Sequence, residues 1–253
     1  MCNDEFELDF SIITVCYNSV KTIEDTIASI LSQKKIKFEY IIIDGGSSDG
    51  TVDLIDNIND KRLKYTSEPD DGIYDAMNKG VYMARGKYIA ILNSDDIYTC
   101  DNVLHKIKRE FEENACDIVS GSIYYFMSNP SKSIRSYPLK KMKTLKDWKA
   151  GYQPPHPSTF IRKSVYDEIG LYDCQFRISS DYDFLFRALA VNKYVHHIIE
   201  ENVVAMRIGG ESTKSIEQII IGNREVKRVW TKYNVIPPRF LKLKKILHKL
   251  FNI

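Results

Sequence analysis

The chain of 253 residues is 43% hydrophobic and 28% charged, with a formal net charge of +2. That balance is ordinary for a soluble globular protein, and no window nears the ~18 consecutive apolar residues of a membrane span, which excludes an integral helical membrane protein. The length allows one large domain or two small ones, and the uneven placement of charge is unlike that of a uniformly basic nucleic-acid binder.

The opening MCNDEFELDF is acidic and carries no apolar h-region of a secretory signal, so a cytoplasmic chain is expected. FSIITVCYN (10–18) reads as a strand, and KTIEDTIASILSQ (21–33) places Ile23, Ile27, Ile30 and Leu31 at helical spacing. FEYIIIDGGSSDGT (38–51) repeats the pattern: an apolar run, an aspartate at its end, a glycine-rich turn, then a helix to about Ile58. LKYTSEPDDG (63–72) gives a third short strand, IYDAMNKGVYMARG (73–86) a helix stopping at Gly86, and KYIAILNSDD a fourth strand. Isoleucine runs without alternation predict strands covered on both faces, as in a parallel sheet flanked by helices. Ligands of such sheets collect beyond the carboxyl ends of the strands, where Asp44, Asp71, Asp95 and Asp96 fall.

The second half is less regular. A helix is predicted at 101–114, then CDIVSGSIYYF (116–126) as two short strands or one strand bulged at Gly121, and a surface loop at 128–141. Three prolines surround His156; STFIR then reads as a strand, and a helix from Ser164 ends at Gly170. SSDYDFLFRALA (179–190) opens a helix with Ser179 or Ser180 as N-cap and Asp181 and Asp183 in its first turn. The tail RFLKLKKILHKLFNI puts Phe240, Leu243, Leu247 and Leu250 on one helical face among lysines. Such a stripe suits the surface of an anionic bilayer, and equally a core-packed helix or a homodimer contact. Five cysteines without a CxxC pair fit reduced packing residues, not a zinc ribbon or a disulfide framework.

Adjacent carboxylates at Asp95 and Asp96, ending so apolar a strand, repel one another unless a cation sits beside them; the competing reading is an N-cap for the next helix. Asp44 suits either capping of the Gly45–Gly46 turn or acceptance of a ligand N–H.

SIITVCYN, IIIDGGSSDGT, ILNSDD and SSDYDFLFR, in this order, resemble the family 2 glycosyltransferases of GT-A fold; EPDDGIYDAMNKG and PHPSTFIRK resemble the bacterial branch making colanic-acid-type exopolysaccharide. The resemblance runs from about residue 10 to about residue 213. It implies an α/β GT-A domain, a Rossmann-like mixed sheet with helices on both faces, over residues 1–222, and a helical basic tail over 223–253. It further implies metal-dependent, inverting transfer from a nucleotide-diphosphate sugar, UDP-linked by preference, to a saccharide or lipid-linked acceptor. Thr14, Val15, Tyr17, Asp44, Asp71, Tyr74, Asn78, Asn93 and Asp95 would then contact the nucleotide or donor, with Mn²⁺ or Mg²⁺ at Asp95 and Asp96. Asp181 matches the family's general base, while His156, Gly209, Gly210 and Ser212 would face acceptor or phosphate. His156 reads equally well as a structural histidine, Asp71 as part of a turn, and 206–215 as a plain connecting loop. Two departures, Asn93 for the first acid of the metal motif and Ser180 for the usual Glu before the base, keep a catalytically silent binding module of the same fold as the alternative. A nicotinamide-dependent oxidoreductase fits poorly, because DGGSSDG is not GxGxxG and follows the second strand.

Overall fold

In the computed structural model, which describes residues 8–137, 139, 145–209 and 215–238, the four apolar runs become the parallel half of one nine-stranded mixed sheet. Strands β1 (Phe10–Cys16), β2 (Phe38–Asp44), β3 (Leu63–Ser67) and β4 (Tyr88–Ile91) pair in the order β3-β2-β1-β4. Between them run α1 (Ile23–Leu31), α2 (Thr51–Asp56) and α3 (Ile73–Met83).

The runs of β1, β2 and β4 lack alternation because each of these strands feeds two cores, whereas the edge strand β3 is partly exposed. Ile13, Ile41, Ile43, Ile89 and Ile91 face one, with Met77 and Val81 of α3. Phe10, Ile12, Tyr40, Ile42 and Tyr88 face the other, with Ile23, Ile27 and Ile30 of α1. Gly80 lets α3 approach β1 closely, since a Cβ there would lie 2.4 Å from Ile13 Cγ2.

The mixed half of the sheet starts after the acids. A two-residue β5 (Ile97–Tyr98) precedes α4 (Val103–Asn114), whose Leu104, Ile107 and Phe111 close the second core. Then come β6 (Ile118–Phe126), β7 (Arg135–Tyr137), α5 (Leu145–Lys149), a 3-10 turn His156–Ser158, β8 (Thr159–Arg162) and α6 (Lys163–Ile169). α7 (Ser180–Phe186) runs into a π-helical turn Arg187–Val191, and β9 (His196–Arg207) and α8 (Ile216–Lys232) complete the described elements. β8 joins β4 antiparallel, β6 lies antiparallel to β8 and parallel to β9, and β5 closes the sheet antiparallel to β9.

β6 is a single strand whose register with β9 slips around Gly121 and Ser122, a bulge where either one or two strands were expected. The 128–141 stretch is more than a surface loop, because Arg135–Tyr137 pairs with β6 and Tyr137 is buried. Ser179 is the N-cap position of α7. α8 runs unbroken through 222–223, and its Val226, Val229 and Trp230 lie buried in the first core, with Tyr233 and Val235 packed against it. The tail stripe at 239–253 lies outside the described residues. Among the described residues no helix is long and apolar enough to cross a membrane.

Candidate active site

Parallel pairing puts the carboxyl ends of β1 to β4 on one edge of the sheet, and the candidate acids arrive there from separate loops. Asp44 ends β2 fully buried. Its Oδ2 accepts from the Gly46 and Ser47 N–H groups (3.0 and 2.9 Å) and from Ser67 Oγ (2.7 Å). Its Oδ1 accepts from the Ser47 hydroxyl and, at 3.4 Å, from Cys16 Sγ. Burial alone would raise the Asp44 pKa, but these donors hold the carboxyl below its ordinary range. The turn-pinning role is therefore realised in full.

At the end of β1, Thr14 is buried and takes the Tyr40 hydroxyl at 3.0 Å, Val15 sits in the core, and Tyr17 is 66% exposed. Of these three, Tyr17, just past the end of β1, is the one open to solvent.

Beyond β4 the acid pair divides its labour. Asp96 is 1% exposed; its Oδ2 accepts from Asn93 Nδ2 (2.9 Å), its Oδ1 from the Arg207 backbone N–H (3.2 Å), and its carbonyl from Thr26 Oγ1 (2.8 Å). Burial and then the neighbouring Asp95 charge push its pKa well up. Asp95 is half-buried, and burial raises its pKa too, against the opposing pull of Arg207. Asn93, whose neutral side chain departs from the expected acid, therefore serves as a donor that fixes Asp96. Ser94 Oγ lies 2.9 Å from Ser19 Oγ and ties this loop to the one after β1.

Two adjacent carboxylates with raised pKa values are the donor set that a hard divalent ion would relieve. Among the described residues no three His, Cys, Asp or Glu side chains gather around one point.

Asp181 comes from the first turn of α7. Tyr74, in the first turn of α3 and 6% exposed, places its hydroxyl 2.7 Å from the Ile178 carbonyl and 3.1 Å from Asp181 Oδ1. Tyr74 was expected to touch the donor; its hydroxyl instead holds this carboxylate and the turn before it. Asn78 spends its amide likewise, donating from Nδ2 to the Tyr172 carbonyl and accepting the Tyr172 N–H at Oδ1, both at 2.9 Å. Asp71 is exposed in the turn before α3.

His156 is 7% exposed, and its Nε2 lies 2.8 Å from the Tyr172 hydroxyl, which lies 2.9 Å from that of Tyr166. Burial lowers the imidazole pKa, partly opposed by the Asp181 charge. The geometry is that of the structural alternative: a neutral ring bonded within a buried cluster. Gly209 has φ of +114° with open space at its Cβ position, while Gly210 and Ser212 lie outside the described residues.

Sequence reasoning passed over Arg207. It lies beside the acid pair, with Nη2 3.0 Å from Asp25 Oδ2 and the guanidinium over Phe126. Its one sequence signal is a base set just before Gly209–Gly210. A groove of about 380 Å³ between β3 and α3, lined by Ile43, Thr66, Lys79 and Tyr82 among others, touches Asn78 but none of Asp95, Asp96 and Asp181.

The family model described as glycosyl transferase family 2 matches residues 11–170. An uncharacterized glycosyltransferase of Mycobacterium tuberculosis is 29% identical over 194 residues, covering 72% of this chain and 69% of its own. A PGL/p-HBAD biosynthesis glycosyltransferase of Mycobacterium bovis is 28% identical over 199 residues, 75% of each chain. Among solved structures, Staphylococcus aureus TarS in complex with UDP superposes with a TM-score of 0.69 at 17% identity, over 97% of this chain and 72% of that one. The Pyrobaculum calidifontis mannosyltransferase PcManGT, in complex with GDP-Man and Mn²⁺, gives 0.68 at 17% identity, over 98% and 73%.

Proposed function

The chain belongs to glycosyl transferase family 2 and has the GT-A fold, and from that premise we propose that it moves a sugar from a nucleotide-diphosphate donor to a saccharide or lipid-linked saccharide acceptor by direct, inverting displacement. The observation that supports this reading is the Tyr74 hydrogen bond to Asp181, which holds the α7 carboxylate at the first turn of α3, the helix that follows the parallel strand β3. Asp181 takes the proton of the acceptor hydroxyl as that oxygen bonds to the anomeric carbon. The bond from that carbon to the diphosphate breaks, and the nucleoside diphosphate leaves with the electron pair.

A divalent ion at this pair would neutralise charge on the departing diphosphate. Asp95, half-exposed, is the carboxylate we assign to it; Asp96, bonded to Asn93 and Arg207, sets the loop. UDP and GDP-Man in related structures support a nucleotide-sugar donor, and we favour UDP. Tyr17 and the turn fixed by Asp44 would receive the base. For the acceptor, the exopolysaccharide branch anticipated from EPDDGIYDAMNKG competes with the relative named for PGL/p-HBAD biosynthesis.

The test is release of nucleoside diphosphate from UDP- and GDP-sugars with Mn²⁺, compared between native protein and Asp181→Asn. Loss of roughly 10²- to 10⁴-fold in kcat with donor binding intact supports the assignment. Equal turnover by both proteins removes Asp181 from the role of base.

A further inference from the structure

The carboxylate of Glu225, in the middle of α8, accepts three successive backbone N–H groups from the turn leading into α7. Arg177 N lies 2.7 Å from Oε1, while Ile178 N and Ser179 N lie 2.8 and 2.9 Å from Oε2. The same turn is held from the opposite side, because the Ile178 carbonyl is an acceptor of the Tyr74 hydroxyl that also reaches Asp181. One peptide unit is thus clamped at both ends, by an α8 acid at its amide and an α3 phenol at its carbonyl.

We propose that Glu225 is a positioning residue for catalysis: through the 177–179 turn it sets where Asp181 stands relative to the strand-end acids. This rests on the reading of Asp181 as the base.

Three features argue that the contact serves position beyond cohesion. First, helix contact at this level is already secured elsewhere on α8, by Trp230 Nε1 donating to the Tyr182 hydroxyl (2.9 Å) and by Lys232 on Asp183 (3.1 Å). Second, α8 approaches the turn closely at Gly222, where a Cβ would stand 3.1 Å from Ile178 Cγ2, and the Gly222 carbonyl takes the Ser179 hydroxyl at 3.2 Å. The turn is therefore held by hydrogen bonds on a surface cut to fit it. Third, a carboxylate that collects consecutive N–H groups restrains those peptides in direction as well as distance, because each bond weakens steeply as it bends. Displacement of a catalytic group by an ångström costs on the order of 10²-fold in rate, so a tether two to four residues from the base acts on kcat.

Glu225→Gln keeps one acceptor oxygen, and Glu225→Leu keeps none. Each variant is compared with native protein and Asp181→Asn in steady-state turnover of the donor sugar with Mn²⁺, in UDP binding, and in amide hydrogen exchange at 177–179. The expected result is faster exchange at these amides and a kcat lowered about tenfold for Gln and about a hundredfold for Leu, with UDP binding and donor KM within about twofold of native. Partial retention by Gln is the signature of acceptor geometry. The proposal is overturned if kcat is unchanged while the amides exchange faster, or if kcat falls, donor KM rises and UDP binding weakens together in both variants, as general disruption of the site would cause. Full activity of Asp181→Asn would instead overturn the assignment of the base, a result separate from anything the Glu225 variants report.

Discussion

The Tyr74 hydroxyl stands 3.1 Å from Asp181 Oδ1 although the two residues are 107 positions apart, and it reaches the Ile178 carbonyl at 2.7 Å as well. A helix that begins where a parallel strand ends thereby steadies an acid carried by the mixed half. Tyr74→Phe deletes this hydroxyl and leaves the ring, which stacks on Tyr172. We expect kcat to fall roughly tenfold with donor KM little changed, and stability to fall by about 1–3 kcal/mol as the Ile178 carbonyl loses its donor. Turnover kinetics and urea denaturation of the same preparation check both.

Asp44 offers a stability test with a defined pH sign. Its folded carboxyl ionises below the ordinary range, so its contribution is present above pH ~4 and is lost as the pH falls through the lower folded value. Asp44→Asn should cost about 1–3 kcal/mol at pH 7, because one of its amide ends faces donors from Ser47 and Ser67. The difference from native protein should shrink at pH 3, and denaturant midpoints at the two values measure it.

Asp95 and Asp96 have the opposite sign. Their folded pKa values are raised, so the folded state binds more protons than the unfolded chain and stability falls as the pH climbs above ~4. Mn²⁺ with UDP should offset this penalty. At a hundredfold excess over Kd we expect about 2.7 kcal/mol, a Tm rise of roughly 5–10 °C, larger at pH 7 than at pH 5. Chelation should reverse the rise, and Asp95→Asn should abolish it; a rise of the same size in Asp95→Asn protein would count against the metal assignment.

Lys232 is the cation facing Asp183, a carboxylate with no exposed surface, at 3.1 Å. Lys232→Met leaves that charge buried with Tyr233 Oη at 3.4 Å as a remaining donor. A loss of about 3–5 kcal/mol is expected. The double variant Asp183→Asn with Lys232→Met should recover part of it, which thermal and chemical denaturation would show.

The first hundred residues were legible because strands buried on both faces read as unbroken apolar runs, and each aspartate of interest ended one of them. Later elements carried no such mark. β9 is HHIIEENVVAMR, with Glu200, Glu201 and Asn202 in its middle, where the β6 pairing is bulged. β5 is two residues long and is defined by its β9 partner. The site followed the same division: Asp44, Asp95, Asp96 and Asp181 were visible as strand ends or a helix start. The work of Tyr74, Asn78 and Glu225 depends on partners 46 to 107 residues away, which no local pattern encodes. His156, conspicuous among its prolines, turned out to face Tyr172.

The all-parallel and mixed halves meet at β4 and β8 through three antiparallel residue pairs, Tyr88 with Arg162, Ile89 with Ile161 and Ala90 with Phe160. Asp44 and the Asp95–Asp96 pair lie on one side of that seam in sequence, and Asp181 on the other. Recombination between relatives at the seam would exchange the segment bearing Asp181, the proposed base, while leaving Asp44, Asp95 and Asp96 in place.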